Sequence, residues 1–442
     1  MPDTPQRKSF RPAAWWVLAC LVVPMFASYY FDDMFSSISY LFENASLTAL
    51  GWDAAGYGLY TSGYSVLCVF GGLVLGGMLL DKWGVRAAGS LFVGLMAAGA
   101  ALVYGALRSG QAASLQLAYA GCMLFGLGSE IAGTSVNRSI AKWFRNGPMA
   151  FAMGLQLAVA RLGTAFALVL APKLVREQAG HVYSLAETAR PAVLGMGLML
   201  AGLVLWAVFL AMDARYDRRL RADTAAGEEE GFRFKDILAV LGNRNFWLLG
   251  LLCVLFYSSI IAFKKFAGAI LIPRFGIPAE SAGWMVSMLP FSTVVFAPLF
   301  GILVDKTGHG TRWMVLGAVL ALAAHSLLAF APQGVPFWGY LAMVFLGFGY
   351  SLVPAALWPS VPKIVPEKVL GTTFALVYWV QNLGLLAFKW ISGVLLGTSA
   401  RDGAFRVELM FTGLCVAAVA SAILFLRVSD RNPQLRLDAP NR

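Results

Sequence analysis

A chain of 442 residues that is 59% hydrophobic and 13% charged, with a mean hydropathy of +0.70, carries more apolar surface than a soluble fold of that length can hide. Its formal charge of +11 is scattered between apolar segments and not gathered on one face, which argues for membrane topology signals and against a nucleic-acid surface. Cys20, Cys68, Cys122, Cys253 and Cys415 each lie in an apolar run without C-x-x-C spacing, so neither a disulfide framework nor a zinc site is expected.

Runs of about 20 mostly apolar residues, each long enough to cross a bilayer as a helix, succeed one another along the whole chain. The first, residues 13 to 42, is long, carries Asp32 and Asp33 and lacks a small-residue cleavage site, so it reads as a retained span and not a signal peptide. The second (54 to 80) and third (87 to 107) flank a charged turn. The fourth (114 to 140) holds Glu130, the fifth (148 to 172) holds Arg161, and the sixth covers 191 to 212. Beyond the charged stretch "DARYDRRLRADTAAGEEEGFRFKD" come runs at 245 to 272, 281 to 304, 312 to 331, 336 to 360, 369 to 397 and 405 to 427. The expected architecture is an all-α membrane protein of twelve transmembrane helices. It divides into an N-terminal six-helix half over 1–212, a cytoplasmic linker over 213–244 and a C-terminal six-helix half over 245–442.

Lysine and arginine set the orientation. Placing both termini in the cytoplasm leaves only Arg108, Lys173, Arg176, Arg190, Arg274, Arg401 and Arg406 in the opposite loops. Five more cations, Arg138, Arg161, Lys264, Lys265 and Lys389, fall within spans, where an ionised group is costly and function is to be sought.

Near the end of the second run stands "GMLLDKWGVR" and near the end of the eighth "GILVDKTGHG", with Asp81 and Asp305 separated by 224 residues. The spacing points to a duplication of six-helix units in the same orientation. This G-x-L-x-D-K-x-G turn resembles the signature loop of the major facilitator superfamily. Its glycines let helices approach closely, and Asp81, Lys82, Arg86, Asp305 and Lys306 are expected to serve conformational switching as a charged latch at the cytoplasmic face.

Helix rise of about 1.5 Å per residue turns position into depth. Glu130 and Arg161 both come near the bilayer midplane, and the expectation is that they pair and line a central cavity. Asp33, Lys264 and Lys389 are expected nearer the outer third. Adjacent helical residues point about 100° apart, so Lys264 and Lys265 are not expected to share a cavity unless the helix breaks there, as Gly268 and Pro273 would permit: either one guards the outer vestibule while the other snorkels to the interface, or both snorkel. Arg138 in "NRSIAKWFR" is read as holding a helix end, and His325 in "LAAHSLLAF" as bonded to a backbone carbonyl. Tyr257, Trp358, Gln381 and Asn382 are candidates to complete a substrate site between the halves, and an offset of 224 residues pairs Tyr257 with Asp33.

Several segments are similar to the lysosomal dipeptide transporter branch of the superfamily: "SYYFDD", "GSEIAGTSVNRSIAKWF", "GLQLAVARLGT", "FGILVDKTG", "GYSLVPAALWPSVPKIVPEKVLGT" and "QNLGL". The resemblance spans nearly the whole chain. It implies alternating access, with Glu130 and Arg161 at positions important for peptide recognition and Asp33 at an acidic position. That fits the chemistry of a zwitterionic peptide, which needs a cation for its carboxylate and an anion for its ammonium. Lys264, Lys265 and Lys389 depart from the branch, and extra cations favour a cargo with additional negative charge. The tail "MPDTPQRKSFRP" carries no acidic dileucine signal, so lysosomal targeting is not carried over, and the Gly- and Ala-rich, short-tailed chain is expected to be a bacterial inner-membrane relative. "NAS" at Asn44 is a formal glycosylation sequon on the outer side.

The lead expectation is a gradient-driven or facilitative transporter of a small zwitterionic or anionic solute, dipeptides first. Asp33 and Glu130 are the groups that would take a coupling proton. The rival within transport is an organic-anion carrier resembling the oxalate and formate exchangers, whose lysines would hold carboxylates. The rival from another class is a non-transporting membrane receptor. No G-x-x-x-x-G-K loop or H-E-x-x-H motif is present, and with three histidines no metal centre, cofactor or enzyme activity is expected. Oligomeric state is left open.

Overall fold

The computed structural model describes residues 13–144, 148–176, 181–221, 238, 240–365, 370–397, 400–432, 435, 437 and 438. The first twelve residues, most of the expected linker (222–237 and 239) and the "PEKV" stretch at 366–369 lie outside the described residues.

In hydrocarbon every backbone N–H and C=O must find a partner inside its own segment, and the apolar runs accordingly fold as long helices. They are α1 (Ala13–Asp33), α2 (Ala54–Leu67), α3 (Leu73–Gly84), α4 (Ser90–Ser109), α5 (Ser114–Trp143), α6 (Met149–Val175) and α7 (Arg190–Arg221). A second group follows: α8 (Arg244–Phe275), α9 (Ala279–Thr307), α10 (Gly310–Phe330), α11 (Pro336–Ile364), α12 (Leu370–Leu396) and α13 (Ala400–Arg431). Polar caps set some ends: the Asp53 side chain accepts from Gly56 N at the start of α2, and Asn243 accepts from Asn245 N at the start of α8.

Among the described residues, eleven segments are long and apolar enough to cross a membrane. One of them, residues 54–109, joins α2, α3 and α4 over 56 residues, about 84 Å of helical rise against the ~30 Å of a bilayer core. It breaks at Gly71 (φ 94°) and Gly84 (φ 72°), backbone conformations that a side chain would strain, and Gly84 falls in the "DKWG" turn expected between the second and third runs. On α7, Leu200, Val204 and Val208 recur every fourth residue and stay exposed, an apolar stripe suited to acyl chains.

Within the first group α1 packs on α6 and α7, and α4 and α2 pack on α5; within the second, α8 packs on α12 and α13, and α11 on α9 and α10. The groups meet along α2 and α12, along α6 and α9, and where α8 lies on the tight 3-10 segment Ser36–Glu43. These seams tighten toward the end of the bundle where α1 finishes. A Cβ on Gly58 would come 2.8 Å from the Cα of Gly393, and one on Gly283 would come 2.3 Å from the Leu168 carbonyl oxygen. Ala269 N also donates to Ser39 Oγ (3.2 Å), and the Tyr57 ring meets that of Phe266 edge-on at 5.3 Å. At the opposite end, which carries Asp81, the ion pairs among the described residues join helices of the first group to one another. The bundle is closed at its Asp33 end.

Candidate functional site

At the end of α1, Asp33 is buried beneath α8 and receives both lysines of the "FKKF" stretch. Lys264 Nζ lies 2.6 Å from Oδ2 and Lys265 Nζ 2.9 Å from Oδ1. Thr164 Oγ1 adds a hydrogen bond to Oδ2 (2.7 Å), and Lys265 also reaches Asp32 Oδ2 at 2.7 Å. Lys265 is fully buried and Lys264 is 7% exposed, so neither snorkels. This corrects the expectation that adjacent lysines cannot share one environment. The helix α8 runs unbroken through them, and their four-carbon stems reach around the end of α1 from two flanks to the two oxygens of one carboxylate. Tyr257, which the sequence offset matches with Asp33, instead accepts a hydrogen bond from Trp358 Nε1 at 3.0 Å.

Glu130 and Arg161 are not joined as an ion pair, contrary to expectation, because tyrosines occupy each. Tyr64 Oη donates toward Glu130 Oε1 at 3.2 Å, with Ser129 Oγ at the same distance. Arg161 Nη1 donates to Tyr350 Oη at 2.6 Å, and its guanidinium lies over the rings of Tyr350 (5.1 Å) and Tyr29 (5.6 Å). Tyr350 comes from α11 and Arg161 from α6, so this contact bridges the two helix groups.

Lys389, on α12, is 2% exposed. Its Nζ lies 3.4 Å from the Thr61 carbonyl and 5.0 Å over the Tyr64 ring, and no described carboxylate lies within ion-pair distance of it. The Tyr64 ring beneath Lys389 links it to Glu130, which accepts from the Tyr64 hydroxyl. Asn382 is buried, donating to the Tyr378 carbonyl at 3.1 Å. Trp358 stacks on Tyr378 with centroids 5.0 Å apart, and Tyr257 stands edge-on to Tyr350 at 6.2 Å. Gln381 faces Cys253, whose Sγ lies 3.7 Å from its Oε1. Contacts thus join Lys389 to Glu130 through Tyr64, and Arg161 to Tyr257, Trp358 and Asn382 through Tyr350 and Tyr378, while Asp33, Lys264 and Lys265 are taken up by one another.

The charged turns lie elsewhere. Asp81 is ion-paired with Arg138 on α5, and Arg86 lies 2.8 Å from Asp217 Oδ2 and 3.7 Å from Asp213 Oδ2 at the end of α7. Lys142 joins the same two aspartates at 2.8 and 2.7 Å. Lys82, Asp305 and Lys306 are exposed. After the second turn, Thr311 N donates to Asp438 Oδ1 (2.8 Å) and His309 N to the Asp438 carbonyl (2.9 Å), so the carboxy-terminal segment docks there. His325 is a further correction: its partner is not a backbone carbonyl but Glu408, whose Oε2 lies 2.8 Å from Nδ1 in a fully buried pair.

Sequence reasoning missed Asp32, Tyr29, Tyr64, Tyr350 and Glu408. For Asp32 the signal was present in "FDD", a second acid at membrane depth. For the tyrosines there was none beyond their number, since aromatic residues are ordinary packing groups in spans.

Residues 21–388 and 265–439 match the model of the Major Facilitator Superfamily. The lysosomal dipeptide transporter MFSD1 of Danio rerio is 30% identical, the alignment covering 87% of this chain and 81% of that protein. The Homo sapiens protein of the same name is 28% identical over 84% of this chain and 77% of its own. A probable nitrate/nitrite antiporter of Thermus thermophilus, NarK1, is 25% identical over 70% of each. In fold, the chain superposes on the nucleoside transporter NupG with a TM-score of 0.69 at 14% identity, covering 93% of this chain and 99% of that one. A POT family peptide transporter gives 0.67 at 15% identity over 94% and 97%. With a family model matched over most of its length, this chain belongs to the Major Facilitator Superfamily and is a membrane transporter, not an enzyme.

Proposed function

We propose that the chain moves dipeptides across a bacterial inner membrane by alternating access. In this reading the 54–109 segment crosses twice, giving twelve crossings with both termini in the cytoplasm. The helix groups are then two six-helix halves, 1–212 and 245–442, joined by a cytoplasmic linker over 213–244, and the closed Asp33 end faces away from the cytoplasm. The Asp81, Lys82 and Arg86 turn, with Asp305 and Lys306 in the second half, serves the conformational change.

The observation that carries the reading is that Glu130 and Arg161 form no ion pair with each other. Tyr64 holds the acid and Tyr350 the base. An anion and a cation set apart and lightly partnered complement the ammonium and carboxylate of a zwitterion, whereas a paired acid and base would have to be separated first. Tyr257, Trp358, Gln381 and Asn382 complete the walls. The relatives named as dipeptide transporters support the peptide over other zwitterions. Glu130 also offers a place for a coupling proton.

The organic-anion reading keeps one observation in its favour, the cation Lys389 without a carboxylate. Uptake of a mixed dipeptide panel, with dicarboxylates alongside, into proteoliposomes of wild type and Arg161→Ala separates the two. Dipeptide entry that Arg161→Ala abolishes is the expected result; entry of dicarboxylates alone makes the protein an anion carrier, and ligand binding without flux makes it a receptor.

A further inference from the structure

The five cations that the sequence places within apolar runs sort into two kinds. Arg138 is paired with Asp81, and Lys264 and Lys265 are paired with Asp33. Arg161 and Lys389 have no described carboxylate within ion-pair distance; their close partners are tyrosines and a carbonyl. An ammonium has three N–H donors, and Lys389 spends them on one carbonyl at 3.4 Å and a ring face while being 2% exposed. A buried cation so thinly satisfied is expensive unless a counter-charge arrives. Tyr64 connects this lysine to the zwitterion site: its ring lies beneath Lys389 while its hydroxyl bonds Glu130.

We propose that Lys389 is a subsite for a second carboxylate, so that the preferred cargo is a dipeptide carrying one acidic side chain. The proposal rests on the dipeptide reading above and narrows it. One anion and two cations, Glu130 with Arg161 and Lys389, complement one ammonium and two carboxylates. A neutral dipeptide leaves Lys389 unanswered, a basic one adds a second cation to a site already rich in them, and a dicarboxylate leaves Glu130 unanswered. Lys264 and Lys265 play no part in this selection because Asp32 and Asp33 already neutralise them.

The test is competition in proteoliposomes. Uptake of labelled Ala-Ala is measured against unlabelled Ala-Ala, Ala-Glu, Glu-Ala, Ala-Lys, glutamate and succinate, for wild type, Lys389→Met and Lys389→Arg. In wild type an acidic dipeptide should compete about tenfold better than Ala-Ala, equivalent to about 1.4 kcal/mol. Lys389→Met should erase that ratio and Lys389→Arg should keep it. Equal competition by acidic and neutral dipeptides in wild type overturns the proposal, as does a Lys389→Met protein that weakens both equally. If Lys389→Met does not fold, the wild-type ratio and Lys389→Arg decide the matter alone. The underlying reading fails separately: Ala-Ala that never enters wild-type vesicles, or glutamate or succinate preferred to every dipeptide, removes the peptide itself.

Discussion

The Lys265 ammonium stands 2.9 Å from Oδ1 of Asp33, a residue 232 positions earlier in the chain and on the other side of the seam between the helix groups. Lys264 occupies the second oxygen, so one carboxylate holds two cations and fastens α8 to the end of α1. Around it the Gly58 and Gly393 contact and the Ser39 to Ala269 hydrogen bond draw the same end together. With that end shut, as it is in this structure, the charge cluster is one of the contacts that fasten it.

Removing one partner of a buried pair leaves the other uncompensated, typically at about 3–5 kcal/mol. Asp33→Asn leaves Lys264 and Lys265 without their shared anion, and the closed end should open. In a background lacking the five native cysteines, a cysteine at Ser39, buried beside Ala269, should change from protected to rapidly labelled by an impermeant maleimide once Asp33→Asn is added. Unchanged protection would show that the cluster does not hold the end shut.

Arg161→Lys keeps the charge and should still fail. The guanidinium reaches Tyr350 Oη at 2.6 Å while lying over two tyrosine rings, a combination of planar stacking and directed donors that an ammonium does not reproduce. Dipeptide uptake by Arg161→Lys should fall at least about tenfold, the effect of ~1.4 kcal/mol. Near-normal uptake would mean that charge alone suffices and that the tyrosine cradle is packing.

The spans were legible because hydrocarbon thickness imposes a length on apolar runs, and the "DKWG" turn announced its own break. The membrane-depth charges were legible as a set, since any lysine in "IIAFKKFAGAIL" stands out against its neighbours. Their partners were not. Asp33 and Lys264 meet across 231 residues of sequence, and nothing local distinguishes that pairing from a lysine reaching the interface. Glu130 and Arg161 were wrongly expected in contact, because tyrosine hydroxyls and rings offer each an alternative that charge counting ignores. Glu408, only a few residues into its apolar run, is met by His325 of α10, a pairing that nothing local announces.

At the Asp81 turn, stability and function should separate. Asp81 and Arg138 have side chains 32% and 44% exposed, and an ion pair so wet is worth at most about 1 kcal/mol. Asp81→Asn should therefore leave the unfolding midpoint nearly unchanged while slowing dipeptide uptake severalfold, because in the alternating-access reading proposed above this end rearranges when the Asp33 end opens. A large loss of thermal stability with an unaltered transport rate per folded molecule would assign the pair to folding instead.

The seam itself gives a sharp contrast between two glycines of one segment. A methyl group at Gly58 would sit 2.8 Å from the Gly393 Cα and 3.0 Å from the Lys389 carbonyl oxygen, backbone atoms that cannot turn aside as a side chain would. At Gly77, further along the same segment, nothing lies within 4 Å of the added carbon. Overpacking of the first kind costs about 1–3 kcal/mol, and since it acts only where α2 and α12 touch, the cost falls on the closed state of that end. Gly58→Ala should therefore raise labelling of the Ser39 cysteine and reduce transport, while Gly77→Ala should do neither. Equal behaviour of the two variants would mean that α2 and α12 separate no further during transport and that the close crossing is a fixed hinge, with the opening carried by α6 and α9 at Gly283.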